Sequence, residues 1–226
     1  MLTFNENKLV ELLNALPAQH RVAFAASCSE RLIHNYTAFV AVEHWGNSAL
    51  LEQGLKTVWA FLESSYTPRE QVRALIQSIE QVIPDSEDFH SLFTEAAQNA
   101  AIALIHSLEC VLDGDTKQAA LAGRAVVESI TSYLILVNTI TIPEVKITHP
   151  DLTHDQWAAM HSSFSQWLEQ SPLMVLELEK QKQDIETLQS CENLTSAFLE
   201  SLRLSSRSLG LQPFRRGIVK VSSITS

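Results

Sequence analysis

The chain has 226 residues, of which 46% are hydrophobic and 19% charged, so it can bury a core in one domain, or in one domain with an appendage. Its six glycines and seven prolines are few, which excludes collagen-like and disordered proteins and disfavours a β-sandwich. A formal charge of −10 disfavours nucleic-acid binding by the body of the protein, because an acidic surface repels phosphates.

Helical periodicity is evident from the start of the chain. Leucines within 9–16 predict a short first helix with Asn5 as its N-cap and Pro17 at its end. The next segment, 18–34, carries a broad apolar arc, and we expect a break in the helix after His34.

Two amphipathic helices are predicted next. The break at 46–48, whose asparagine and serine can cap a helix, precedes an apolar stripe over 51–62. The clearest stripe in the chain lies over 72–83, where it opens after Pro68 and closes at Pro84.

The middle of the chain predicts two long helices separated by a turn. Acidic residues at 85–88 favour a helix start, since the helix dipole stabilises negative charge there, and residues 100–105 are apolar on all sides. Residues 113–116 are typical of a turn that caps the next helix. The β-branched run over Tyr133–Ile142 is predicted to be helical, because one strand without a partner would leave its backbone unsatisfied.

The C-terminal third predicts the remaining helices. Residues 143–151 form a polar connection, an aromatic stripe follows over 157–167, and Pro172 marks a kink or a new helix. Residues 173–204 predict one or two further helices. The whole pattern predicts an all-α fold, a single bundle of about eight or nine helices within residues 1–204.

The end of the chain differs from its body in charge and periodicity. All 26 acidic residues precede position 201, whereas residues 201–226 hold five basic residues and no acid. The helical period is lost from Ser205 on, so we expect residues 205–226 to form an irregular basic tail that is dispensable for folding. The alternative is a nucleic-acid-binding arm, whose mark would be a steep salt dependence of binding.

Cysteine use predicts the compartment. Cys28, Cys110 and Cys191 are odd in number, lie far apart and fit no CxxC or metal spacing, so we expect reduced thiols in a cytoplasmic protein. The first residues lack a basic region followed by an apolar stretch, so no secretory signal is expected. No uninterrupted apolar run approaches the ~20 residues of a membrane span, and we expect no membrane association.

The motifs that hold phosphates or metals are not found in the sequence. His154 and His161 share one helical face, and Glu30 and His34 stand at i, i+4, but both pairs are more typical of a solvated surface. The carboxylate pairs lie where turns and helix ends favour acid: Glu87 with Asp88, and Asp113 with Asp115. We therefore expect no metal and no cofactor, and predict no catalytic residue.

The segment 24–39 is the most informative for function. On a helical wheel its apolar residues fill about 200° of arc, with Glu30 and Arg31 at opposite edges. Neighbours on a helix do not face each other, so each charge needs its own partner, and we expect both to be at least half buried. Asn35 is expected to cap a helix that begins near Tyr36. Glu30, Arg31, Asn35 and Tyr36 are the candidate binding residues.

A set of short motifs follows in a fixed order along the first half of the chain: Phe24, Glu30-Arg31, Asn35-Tyr36, Phe39, Leu55, Trp59 and Ile83-Pro84-Asp85-Ser86-Glu87-Asp88-Phe89. In this order they resemble the bacterial DUF416 family, also called the YjaG-like family, over roughly residues 9–180. The resemblance implies a cytoplasmic all-α protein and supplies no activity, substrate or catalytic residue. Residues 190–226 depart from the pattern of the family.

Three functions follow from these features as hypotheses. The preferred one is a non-enzymatic helical binding or interaction protein, whose unknown protein partner can be a second copy of itself. The second is an enzyme with a polar site inside the bundle around Glu30, Arg31, Asn35 and Tyr36. A deep pocket that joins these four residues would favour the enzyme, whereas a closed core would favour the binding protein. The third is nucleic-acid association through the basic tail.

Overall fold

A computed structural model describes residues 4–89, 91, 93–141 and 164–210. Within these residues the chain forms helices and no strand, which confirms the all-α prediction. The helices are α1 (Glu6–Asn14), α2 (Ala18–Glu43), α3 (Ser48–Ser64), α4 (Arg69–Glu80), α5 (Thr94–Asp113), α6 (Thr116–Thr141), α7 (164–170), α8 (Pro172–Ser190) and α9 (Ser196–Gly210).

Local sequence signals set several helix ends. The Asn5 side chain accepts a hydrogen bond from the backbone N–H of Lys8 at 3.0 Å, and the Asn47 side chain accepts one from Leu50 at 3.1 Å. Both side chains therefore act as the predicted N-caps. Pro172 occupies the first position of α8, where its missing N–H costs no helical hydrogen bond. This residue begins a new helix and does not kink an existing one.

The second helix is the centre of the bundle. It packs against α5, α6, α3 and α9, and every residue from Val22 to Ile33 is buried. A helix that is buried on all sides is normally apolar on all sides. Because α2 carries Glu30 and Arg31 within this stretch, its neighbours have to supply partners for two charges.

The sixth helix contains the β-branched run of the middle of the chain. It extends to Thr141, which confirms the helical prediction, while Ile142 lies outside the described residues. Its part Thr116–Leu136 is long and apolar enough to cross a membrane by length and composition alone. In the fold this helix packs against α5, α2, α1 and α8, as a core helix does.

Three predicted features differ from the structure. The break after His34 is wrong, because α2 continues to Glu43 without interruption. The acidic residues 85–88 lie in a turn, and the next helix begins later, at Thr94. The predicted boundary at residue 204 falls inside α9, which is helical to Gly210, so residues 205–210 are not an irregular tail. Residues 211–226 lie outside the described part of the chain, as do 143–151, Trp157 and Met160.

The predicted turn between α5 and α6 depends on Gly114 for its backbone conformation. Its φ of +66° is in the left-handed region, and a Cβ at this position would lie 2.6 Å from the Cβ of Ala18. The backbone N–H of Gly114 bonds to the carbonyl of Cys110 at 2.7 Å and closes the end of α5. The glycine is therefore required for both its backbone conformation and its close contact with α2.

We expect Gly114→Ala to lower the free energy of unfolding by about 1–2 kcal/mol or more, since left-handed backbone costs about this much for a residue with a Cβ. Urea unfolding followed by circular dichroism measures the change. Lys117→Ala, at an exposed position in the first turn of α6, is the control and should change stability by less than about 0.5 kcal/mol. Equal stability of the two variants would contradict the prediction.

Candidate functional site

Arg31 is held in a buried network of ion pairs between α2 and α8. Its Nη2 donates to Glu177 Oε1 at 2.9 Å, and its Nη1 donates to Asp184 Oδ2 at 3.2 Å. Lys180, one turn before Asp184 on α8, pairs with Asp184 Oδ1. All four residues are at most 6% exposed, so two cations and two carboxylates neutralise one another away from solvent.

Neutral side chains extend this network to other helices. The Ser27 hydroxyl donates to Asp184 Oδ2 at 2.6 Å and lies 3.0 Å from the hydroxyl oxygen of Ser206 on α9. Gln181 Nε2 donates to the carbonyl oxygen of Gly123 on α6 at 3.0 Å. The network therefore connects α2 with α6, α8 and α9.

Burial and charge set the protonation states in this network. Burial by itself lowers the pKa of Arg31, but the attraction of Glu177 and Asp184 outweighs it, and the pKa is raised above its ordinary value. Arg31 Nη2 also lies 3.2 Å from Cys28 Sγ. Burial raises the pKa of the Cys28 thiol to about 12, and the neighbouring Arg31 charge offsets only part of the rise. Cys28 is therefore a protonated thiol and a poor nucleophile.

Glu30 forms a second buried network, on the side of α2 that faces α3 and α9. It is 1% exposed, and its Oε2 accepts from Trp59 Nε1 at 2.7 Å and from Arg203 Nε at 3.2 Å. Its Oε1 pairs with Arg207. The guanidinium carbon of Arg203 lies 5.7 Å from the centre of the Trp59 ring, a cation–π contact. The prediction that Glu30 and Arg31 are buried and bonded outside their own helix is confirmed.

Asn35 and Tyr36 serve other contacts. The prediction that Asn35 caps a new helix is wrong, because α2 continues without a break through this position. The Asn35 Nδ2 group instead donates a hydrogen bond to Ser129 Oγ on α6 at 3.3 Å. The Tyr36 hydroxyl donates to the Val82 carbonyl oxygen at 2.6 Å and accepts from the Asn47 N–H at 3.2 Å. Tyr36 therefore joins the α2–α3 turn to the end of α4.

The four candidate residues do not form one site. Glu30 is bonded to α3 and α9, Arg31 to α8, Asn35 to α6, and Tyr36 to two connecting segments. None of them lines either of the two grooves described below. Their role as binding residues stays a prediction.

The partners of Glu30 and Arg31 are residues that the sequence analysis misses. Four polar residues of α8 recur at the i, i+3, i+4, i+7 spacing of one helix face: Glu177, Lys180, Gln181 and Asp184. They alternate with the buried apolar residues of the same helix: Met174, Leu178, Ile185 and Leu188. Charges that recur in register with an apolar stripe are the signal that could have identified a buried network.

An open groove lies between α8 and α9, above this network. Both helices pack on α2 but make few contacts with each other, and the space between them measures about 380 Å³. We call it the α8–α9 groove, and the residues that line it are Lys180, Gln183, Asp184 and Thr187 on α8 and Phe198, Ser201, Leu202, Ser205 and Ser208 on α9. A second groove of about 370 Å³, between α1 and α8, is more apolar and includes Phe4, Leu12 and Ile185.

No group of three or more potential metal ligands occurs in the described part of the chain. Both carboxylate oxygens of Glu30 are bonded elsewhere, so its pairing with His34 as a chelate has no support. His154 and His161 lie outside the described residues.

The fold and these networks define a class of protein: a helical bundle whose central helix carries two buried charges. Helices later in the chain neutralise both charges. Residues 8–212 match the family described as "Protein of unknown function (DUF416)", and the chain belongs to this family. The match continues past residue 180 to residue 212, so the prediction that residues 190–226 depart from the family is wrong for residues 190–212.

The fold is also similar to a solved structure. A crystal structure of a DUF416 family protein from Shewanella baltica OS155 matches with a TM-score of 0.72 and 18% sequence identity, over 90% of this chain and 95% of that chain. At this identity the likeness concerns the fold. No curated protein matches the sequence.

We expect Arg31→Ala to lower the free energy of unfolding by about 3–5 kcal/mol, because it leaves Glu177 buried without its cation and removes one of the two cations that pair with Asp184. Glu30→Ala should act in the same direction but by a smaller amount: it leaves Trp59 Nε1 without its acceptor, whereas Arg203 and Arg207 are 24% and 44% exposed and can be solvated. Chemical denaturation measures both changes.

The control for these variants is Arg124→Ala. Arg124 pairs with Glu6 and Glu128, but its side chain is 46% exposed, so we expect a loss of about 0–1 kcal/mol. If Arg31→Ala and Glu30→Ala are as stable as this control, the two buried networks do not stabilise the fold.

Thiol reactivity gives an independent check on burial. We expect Cys191, which is partly exposed, to react with Ellman's reagent in the folded protein, and Cys28 and Cys110 to react only after unfolding. Burial raises the pKa of both protected thiols to about 12, so almost no thiolate forms near pH ~8. The absorbance of the released thiolate is compared with and without denaturant, and Cys191→Ser should abolish the fast phase. Rapid reaction of a second thiol in the native protein would refute this.

Proposed function

We propose that the protein is a non-enzymatic binding protein and that the α8–α9 groove binds a small polar ligand. The observation that carries the proposal is that Lys180 and Asp184 belong to the buried ion-pair network and also line an open groove. A ligand in this groove would meet charged groups whose positions are held by Arg31 and Ser27.

The buried charged groups are already paired with other side chains, and this supports binding over catalysis. Acid–base or nucleophilic chemistry needs a group that can exchange a proton or reach a substrate. Glu30 has both oxygens bonded, Arg31 is paired with two carboxylates, and the pKa of Cys28 is raised by burial to about 12. The core is closed around these residues, which favours the binding hypothesis over an enzyme with a site around Glu30, Arg31, Asn35 and Tyr36.

The size and rigidity of the groove also support a ligand. Its volume of about 380 Å³ falls within the ~300–1,000 Å³ that small-molecule pockets typically have. Lys180 and Asp184 are fixed by the buried network, so a ligand would spend little of its binding free energy on ordering them.

The remaining hypotheses receive different support. Two of the five basic residues near the C-terminus, Arg203 and Arg207, pair with Glu30, which weakens the case for nucleic-acid binding through this region. Free thiols at Cys28 and Cys110 suit a reducing compartment, and we keep cytoplasmic residence as part of the proposal. Self-association is also kept, since exposed apolar side chains such as Tyr66 and Leu204 are available to a partner.

The proposal is tested by filling the groove. We expect Ser205→Trp, at an exposed position on the wall of the groove, to abolish the rise in melting temperature that a bound small molecule produces. The probes are gluconate, glucose 6-phosphate and sorbitol, each measured by thermal shift and calorimetry. Ser196→Trp adds the same side chain at an exposed position on α9 outside the groove and should bind as the wild type does. Binding by no probe, or equal binding by both variants, would overturn the proposal.

A further inference from the structure

Lys180 is the cation of the α8–α9 groove. It is 6% exposed, and its ammonium group donates one described hydrogen bond, to Asp184 Oδ1. An ammonium group carries three N–H donors. Two donors of Lys180 therefore remain for atoms inside the groove that it lines.

Asp184 cannot accept hydrogen bonds from all three N–H groups of Lys180, because its two oxygens also accept from other donors. Its Oδ2 accepts from the Ser27 hydroxyl at 2.6 Å and from Arg31 Nη1 at 3.2 Å, while Oδ1 is paired with Lys180. One carboxylate is thus shared by two cations. The second carboxylate of the network, Glu177, is bonded to Arg31 and to Gln181.

Three hydroxyl groups on the walls of the groove offer hydrogen-bond acceptors to a ligand. The hydroxyls of Thr187, Ser205 and Ser208 donate to carbonyl oxygens of their own helices at 2.7–2.9 Å. Their oxygen lone pairs stay available to donors on a ligand. The lining residues of α9 carry no charge, so Lys180 and Asp184 are the charged residues that line the groove.

From this arrangement we propose that the α8–α9 groove binds a small organic oxyanion, a carboxylate or a phosphate ester, that also carries hydroxyl groups. The oxyanion accepts the two free N–H donors of Lys180, and the hydroxyls donate to the serine and threonine oxygens of the walls. The inference rests on the proposed function, whose binding site it uses, and adds the class of ligand.

Protonation of Lys180 makes binding depend on pH. The pKa of Lys180 is lowered below its ordinary value, because burial disfavours the charged ammonium and the nearby Arg31 repels it, while Asp184 offsets part of this effect. An oxyanion beside the ammonium group raises that pKa again, so binding takes up protons and weakens as pH rises through the pKa of Lys180. A neutral polyol gains nothing from this charge, so pH should not change its interaction with the groove over the same range.

The test compares probes that share hydroxyls and differ in charge. Calorimetry with gluconate, glucose 6-phosphate and sorbitol should show that an anion binds and sorbitol does not; gluconate and glucose 6-phosphate separate carboxylate from phosphate recognition. Lys180→Met should weaken anion binding about tenfold or more, because a charge-assisted hydrogen bond is lost. The control is Lys182→Met, on the same helix outside the groove, where the lysine pairs only loosely with Glu186 at 3.7 Å.

The outcomes separate the two proposals. Sorbitol binding without anion binding, in a way that Ser205→Trp blocks, would keep the groove as a binding site and overturn the oxyanion. Equal anion affinity for Lys180→Met and Lys182→Met would also overturn it. If Lys180→Met fails to fold, the pH dependence of gluconate binding to the wild-type protein is the test. A gluconate affinity that does not fall as pH rises would overturn the inference. Binding by no probe would overturn both proposals.

Discussion

The burial of two adjacent charges on one central helix is the constraint on which the rest of the structure depends. Every residue from Val22 to Ile33 of α2 is removed from solvent, and this stretch includes Glu30 and Arg31. A buried charge without a partner would cost several kcal/mol, a large share of the stability of a domain. Adjacent residues leave a helix in different directions, so the two charges need two separate sets of partners. The acidic partners of Arg31 come from α8, and the basic partners of Glu30 come from α9.

This division explains the open groove of the protein. The Arg31 network holds α8 on one side of α2, and the Glu30 network holds α9 on another. Each helix is fixed to α2 rather than to its neighbour, and the α8–α9 groove is the space left between them. The same ion pairs that stabilise the fold therefore position Lys180 and Asp184 at the surface of a cavity. Stability and the proposed binding site depend on one set of interactions.

Much of the fold could be predicted from the sequence, because helix ends are set by short-range chemistry. Asn5 and Asn47 cap their helices through side-chain bonds to residues three positions away, and Gly114 ends α5 through its own backbone conformation. The burial of Glu30 and Arg31 was also predictable, since it follows from the width of the apolar arc around them. The predicted cap at Asn35 failed, because a polar side chain within a long helix can be satisfied by Ser129 of another helix, which local sequence does not contain.

The sequence by itself determined the helical class, the ends of several helices, the family and the need for partners at Glu30 and Arg31. Only the tertiary structure decided which residues meet that need, since Asp184 and Arg207 lie more than a hundred positions away along the chain. It also showed that α9 continues through residues 205–210, where helical periodicity in the sequence is weak. The physical reason is that Ser206 and Arg207 bond to α2, and such contacts stabilise a helix beyond what its own apolar pattern predicts.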